Sequence, residues 1–255
     1  VSLSPVRRLA RGLAVAALLL LAGPDEPARA DEIVADLSSH VIAISSGFNG
    51  ASVVLFGAID GPGDVVAVMR GPAHPMTVWR KGKTLGIWVN AEEVTFTEVP
   101  SYYAVAASRP LDELLRPEAA ARYRIGAQYL QLGANAEGTP ERIRRFAAAL
   151  LIEQQRAGLF AAKPGQIARL GDRLFRATFE FPANVPTGAY LAEVFLVRGG
   201  DVVVAGRTTP LHVFKVGVDA AVFDFATQEP VAYGAIAVLT AVVAGWLGSL
   251  PFRGF

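Results

Sequence analysis

The chain has 255 residues, 52% of them hydrophobic and 18% charged, with a formal net charge of +1. It contains no cysteine, which excludes disulfides, thiolate metal sites and cysteine nucleophiles. Residues 1–30 carry four arginines against Asp25 and Glu26; without them 20 basic and 21 acidic side chains remain, so charge gives no reason to expect nucleic acid as a partner.

Residues 1–30 read as a cleavable signal peptide. Arg7, Arg8 and Arg11 form a positive start, Leu13–Ala22 is an apolar run, and Ala28-Arg29-Ala30 is a small-x-small cleavage site before Asp31. That run is about half the length a membrane-spanning helix needs, roughly twenty residues.

Residues 31–110 predict the first β-segment of a periplasmic domain. Apolar or alternating runs at His40–Ser45, Ala51–Ile59, Asp64–Met69, Met76–Arg80, Leu85–Asn90, Thr95–Thr97 and Tyr102–Ala107 are separated by turn residues. Among these breakers are Gly47-Phe48-Asn49-Gly50, Asp60-Gly61-Pro62-Gly63, Gly71-Pro72 and a Lys81-Gly82-Lys83 tip. Residues 111–162 predict a two-helix insertion. Its first helix covers Pro117–Leu132 and stops at Gly133. Its second starts at Thr139-Pro140, an N-cap followed by proline at N1, and places Ile143, Phe146, Ala147, Leu150 and Leu151 on one face.

Residues 163–228 predict the second β-segment, with strands at Leu174–Phe181, Ala189–Val197, Asp201–Ala205 and Leu211–Val216 and a Gly199-Gly200 hairpin turn. Val185–Tyr190 is similar to the approach to a late strand of immunoglobulin-like sandwiches, where a tyrosine closes the corner. Residues 229–250 predict a transmembrane helix: Val231–Leu250 is uncharged, with Tyr233 and Trp246 near its ends. Residues 251–255, with Arg253, are then a cytoplasmic tail. The expected fold is mainly β: an antiparallel immunoglobulin-like β-sandwich with a two-helix insertion, plus one C-terminal transmembrane helix. Two separate small β-domains are the alternative.

Several short blocks follow one another in order: Val34–His40, Gly47–Ala51, Leu55–Ala58, Arg70-Gly71-Pro72, Lys83 with Gly86–Asn90, Val99–Ala104, and Gly245-Trp246. Together they resemble the alphaproteobacterial putative transmembrane protein family, over essentially the whole chain after residue 30. The resemblance implies an exported, membrane-anchored protein with no catalytic residues to carry over. It also implies a setting beside a sulfite-exporter-like permease.

No chemistry stands out. His40, His74 and His212 are the only histidines and show none of the spacings of a metal site. Ser38-Ser39-His40 has hydrolase residue types, but neighbours on a strand point to opposite faces and form no relay. Glu92-Glu93 beside Asn90 reads as a solvated turn, and no glycine-rich phosphate loop is present. Expected catalytic, metal and cofactor sites are therefore none. The candidate partner-binding residues are His74, Trp79 and Trp88 around a proline-rich loop, and Ala237, Ala241 and Gly245, a small-residue stripe in the last helix. The expected function is a periplasmic binding or accessory protein anchored in the inner membrane as a single-pass protein and associated with a transporter. The alternative is an envelope hydrolase whose site is scattered in sequence.

Overall fold

In a computed structural model the described residues are 32–84, 86–135, 139–217, 222 and 225–249. The expected signal peptide (1–30), the tail (251–255) and Leu250 lie outside them. Residues from Ile33 onward belong to one compact unit.

The first half carries strands β1 (Ile33–Leu37), β2 (Val41–Ile44), β3 (Ala51–Ile59), β4 (Asp64–Arg70), β5 (Ala73–Thr84), β6 (Ile87–Pro100) and β7 (Tyr103–Ala107). Helices α1 (Leu111–Leu114), α2 (Pro117–Tyr123) and α3 (Pro140–Arg156) follow, with a 3-10 turn at Ala127–Tyr129 and a short strand β8 (Ala134–Asn135) between the last two. Strands β9 (Gly165–Leu170), β10 (Leu174–Phe181), β11 (Gly188–Arg198), β12 (Asp201–Arg207) and β13 (Leu211–Lys215) precede helix α4 (Pro230–Ser249).

Ten strands form one curled sheet in the order β1-β3-β10-β9-β7-β4-β11-β13-β2, with β12 also paired to β11. Strands from both β-segments interleave in it: β3 pairs with β10, and β4 with β11. The β11–β12 hairpin turns through Gly199 and Gly200, whose φ values of 57° and 86° suit a two-residue turn of the primed type. Strand β4 is buried on both faces, which is why Val65–Met69 reads as an unbroken apolar run. Val65, Ala67 and Met69 enter a first core inside the curl, with Leu55, Phe175 and Tyr190. Val66 and Val68 enter a second core, with Phe96, Phe146 and Phe160, between the sheet, β6 and the helices. Tyr190 closes its corner as expected, its hydroxyl donating to Pro186 O at 2.5 Å.

The expected architecture needs three corrections. First, the chain is mainly β, but the pairing is not purely antiparallel and not an immunoglobulin-like sandwich. β7–β9 and β13–β2 run parallel within one curled sheet, and β5-β6-β8 form a separate one. Second, the described residues of the insertion hold three helices. The helix from Pro117 stops at Tyr123 because Arg124 takes a left-handed φ of 55°, and its N–H bonds back to the Ala120 and Ala121 carbonyls. Gly133 ends no helix; its carbonyl accepts from Thr97 N. Third, no helix among the described residues is long and apolar enough to cross a membrane, so the expected C-terminal transmembrane helix is not supported. The segment is helical as α4, with no acidic residue in its first turn and no basic residue in its last. The Thr240 hydroxyl satisfies itself on Ile236 O at 2.8 Å, and side chains past Trp246 lie outside the description.

A charged clamp joins the start of β4 to the end of β7. Asp64 accepts from Ser108 Oγ at 2.9 Å and from Arg109 Nη2 at 2.6 Å. The Arg109 hydrogen bonds, and then Ser108, hold the Asp64 carboxyl below its ordinary 3.8 against the opposing effect of burial. A lowered carboxylate contributes stability above its unfolded value and loses it as pH falls through the folded one. Asp64→Asn is therefore expected to flatten the fall of stability with acid below about pH 4. Urea midpoints across that range check this; an unchanged slope would leave the clamp without thermodynamic weight.

Candidate functional site

Strands β5 and β6 make a long hairpin arm. One face, with Met76, Val78, Val94 and Phe96, packs on the second core. Helix α3 grips the arm, through Arg142 Nη2 donating to Glu93 O at 3.0 Å and Gln154 Nε2 to Met76 Sδ at 3.2 Å. Thr139 caps the start of α3, its hydroxyl accepting from Arg142 N.

The other face of the arm is solvated. Residues two apart on a strand share a face, so Thr77, Trp79, Lys81 and Lys83 of β5 line it. Across the arm, Trp79 is paired with Glu93, Lys81 with Asn90 and Lys83 with Trp88. The register shift falls at Ala91, which keeps Trp88 on the face of Trp79. Trp79 is pinned, its Nε1 donating to Glu93 Oε2 at 2.9 Å. Glu92 and Glu93 are strand residues of β6, opposite Arg80 and Trp79, rather than a solvated turn, and Glu92 pairs with Arg80 and with Arg142.

The structure thus brings Trp79 and Trp88 onto one face and leaves His74 apart. His74 is half-buried at the base of the arm, opposite Val99 and on the other face from Trp79. Ala237, Ala241 and Gly245 are exposed on α4, and nothing lies within 4 Å of a Cβ built at Gly245.

A second site is invisible in sequence order. A cavity of about 630 Å³ is lined by Arg70 from β4, Arg122, Tyr123 and Arg124 from α2 and its cap, Glu193 and Phe195 from β11, and Arg207 from β12. Arg70 is its hub. Its Nη2 donates to the Tyr123 and Arg124 carbonyls at 3.0 Å each, its Nη1 pairs with Glu193, and its guanidinium lies over the Tyr103 ring. Arg207 Nε takes the other Glu193 oxygen at 3.0 Å. Burial lowers the pKa of Arg70; Tyr103 opposes this, while Arg124 and Arg207 push the same way. From below, the Tyr103 hydroxyl donates to Arg124 O at 2.9 Å and accepts from Gly126 N at 2.8 Å, fixing the chain that carries Arg122 to Arg124. The signals in sequence are single charges in apolar strands: Arg70 ends β4 and Glu193 interrupts β11.

Against known families, residues 32–254 match the one described as Putative transmembrane protein (Alph_Pro_TM). The chain belongs to this family. No curated protein matches it. At Ser38-Ser39-His40 the side chains turn to separate partners. Ser38 Oγ accepts from Val54 N, Ser39 Oγ donates to Val41 O, and His40 Nε2 meets Asp36 Oδ1 at 2.8 Å instead. His212 N donates to His40 O, yet no group of three His, Asp or Glu able to hold a metal occurs among the described residues.

Proposed function

We propose that this transmembrane-family protein is a non-enzymatic binding or accessory module, held at the inner membrane with its β-rich unit on the periplasmic side. Its aromatic arm engages a membrane-embedded partner such as a transporter. The carrying observation is the pair Trp79 and Trp88, 54% and 66% exposed on one face of an arm that is braced from behind by α3. Exposed indoles gain more than other side chains when a partner covers them, and tryptophan dominates interface energetics. Bracing pre-organises the arm, so little ordering is lost on docking. The signal-like pattern of residues 1–30 supports the periplasmic side.

Trp79→Ala with Trp88→Ala is expected to weaken partner capture by about 2 kcal/mol or more per indole. Both side chains are exposed, so the thermal midpoint should stay within a few degrees. The readout is crosslinking and co-purification of the full chain from native membranes. Recovery of the same partners in the same amounts would sink the reading.

A further inference from the structure

The geometry points to the arginine-lined cavity as a binding site for a phosphate monoester, with the phosphate on Arg122, Arg124 and Arg207 and the organic group against Phe195 and Leu191. Among the described residues four guanidiniums surround this space, with one carboxylate, Glu193, among them. The features that would repel an anion are already occupied. Both Glu193 oxygens are taken, by Arg70 and Arg207, and the Tyr123 and Arg124 carbonyls at the end of α2 are taken by Arg70. Arg70 thus cancels the local negative ends and leaves a positive field to the three outer arginines.

Planar guanidiniums match tetrahedral oxyanions through paired N–H donors, better than point charges do. Arg122 is exposed and can swing to a ligand; Arg124 is anchored to Gln131 Oε1 at 2.9 Å, and Arg207 is held through Nε on Glu193 Oε1 at 3.0 Å, which leaves its two terminal nitrogens to donate. A bare phosphate on the arginines would leave the apolar side of this open groove uncovered. One wall, Leu191, Phe195 and Ala205, is apolar, and the Tyr123 and Phe195 rings sit 5.5 Å apart, centroid to centroid. An ester with an organic substituent fills both halves. The same chemistry is presented by a soluble ester and by a lipid headgroup.

Calorimetric titration of the full chain in neutral detergent tests this with inorganic phosphate, phenyl phosphate and dihexanoyl phosphatidic acid. Saturable binding of an ester is expected, tighter than inorganic phosphate. Arg122→Ala and Arg207→Ala should each weaken it about tenfold, the scale of one charge-assisted contact. Tighter binding of the lipid makes the source a headgroup, and tighter phenyl phosphate makes it a soluble ester. Equal affinity for ester and inorganic phosphate overturns the monoester assignment. No saturable binding, or unchanged binding when Arg122→Ala and Arg207→Ala are combined, overturns the site. Should Arg207→Ala disturb folding, Arg122→Ala alone carries the test, because its exposed side chain lies on the surface of α2.

Discussion

Glu193→Ala is expected to destabilise the folded chain by about 3 kcal/mol, the low end of what losing one partner of a buried ion pair costs. The size comes from what is left behind. Arg70 and Glu193 are only 20% and 17% exposed, and without the carboxylate Arg70 keeps its charge with two backbone carbonyls as partners. Those carbonyls belong to the end of α2 and cannot follow the guanidinium outward without disturbing Tyr103, which bonds Arg124 O and Gly126 N. Full burial would raise the cost further; partial exposure lets water relieve some of it. Arg207→Ala, on the other side of the same carboxylate, is the control. Its side chain is 72% exposed, so its loss should cost below about 1 kcal/mol. Urea unfolding of both variants decides. Equal losses would mean that Arg70 finds other solvation and that the network is not a structural hub.

Much of the strand content is legible in the sequence, and the reasons differ element by element. β3 can be read as Ala51–Ile59 because turn residues flank an alternating run. β10 is readable because its burial alternates over all eight residues. β9 is not: of Gly165–Leu170 only Ile167 is buried, so no period of two is visible. The arm is misread at its end. Lys81-Gly82-Lys83 has the composition of a tip, yet the strand runs on to Thr84, because the register shift at Ala91 crowds the partner and suits glycine. A Cβ at Gly82 would lie 2.7 Å from the Ala91 Cβ.

What the sequence hides is chiefly non-local. Pairing β7 with β9 and β13 with β2 in parallel joins segments with no shared local pattern. The arginine cavity draws its charges from β4, α2, β11 and β12, and no two of those strands and helices are consecutive except the last pair. The aromatic arm was nearer the surface of the sequence. Trp79 and Trp88 stand out by type, but whether each is core or exposed depends on which face α3 covers. That choice is made by Met76, Val78, Val94 and Phe96, whose apolar row commits the opposite face, with its two indoles, to solvent.

Phe175→Ala is expected to cost about 3–5 kcal/mol, the largest effect of any single change considered. Phe175 is 1% exposed in the core inside the curl, and its cross-strand partner on β3 is Gly57. The two residues fit as one unit. A Cβ at position 57 would stand 2.6 Å from Phe175 Cζ and 2.4 Å from Val34 O, so the ring occupies the space that only a glycine leaves. An aromatic ring laid over a cross-strand glycine restores the packing that the missing side chain gives up. Removing the ring empties both volumes together, and Gly57 has no side chain with which to close the hole. The backbone cannot move in either, because β3 is held between β1 and β10. Such a loss is a large share of the roughly 5–15 kcal/mol that keeps a domain folded. Phe56, the next residue on β3, separates burial from residue type: it is 48% exposed, and Phe56→Ala should shift stability by no more than about 0.5 kcal/mol. Chemical unfolding of the two variants side by side reads the difference. Comparable losses at Phe56 and Phe175 would mean that the curl does not enclose the core through this strand pair.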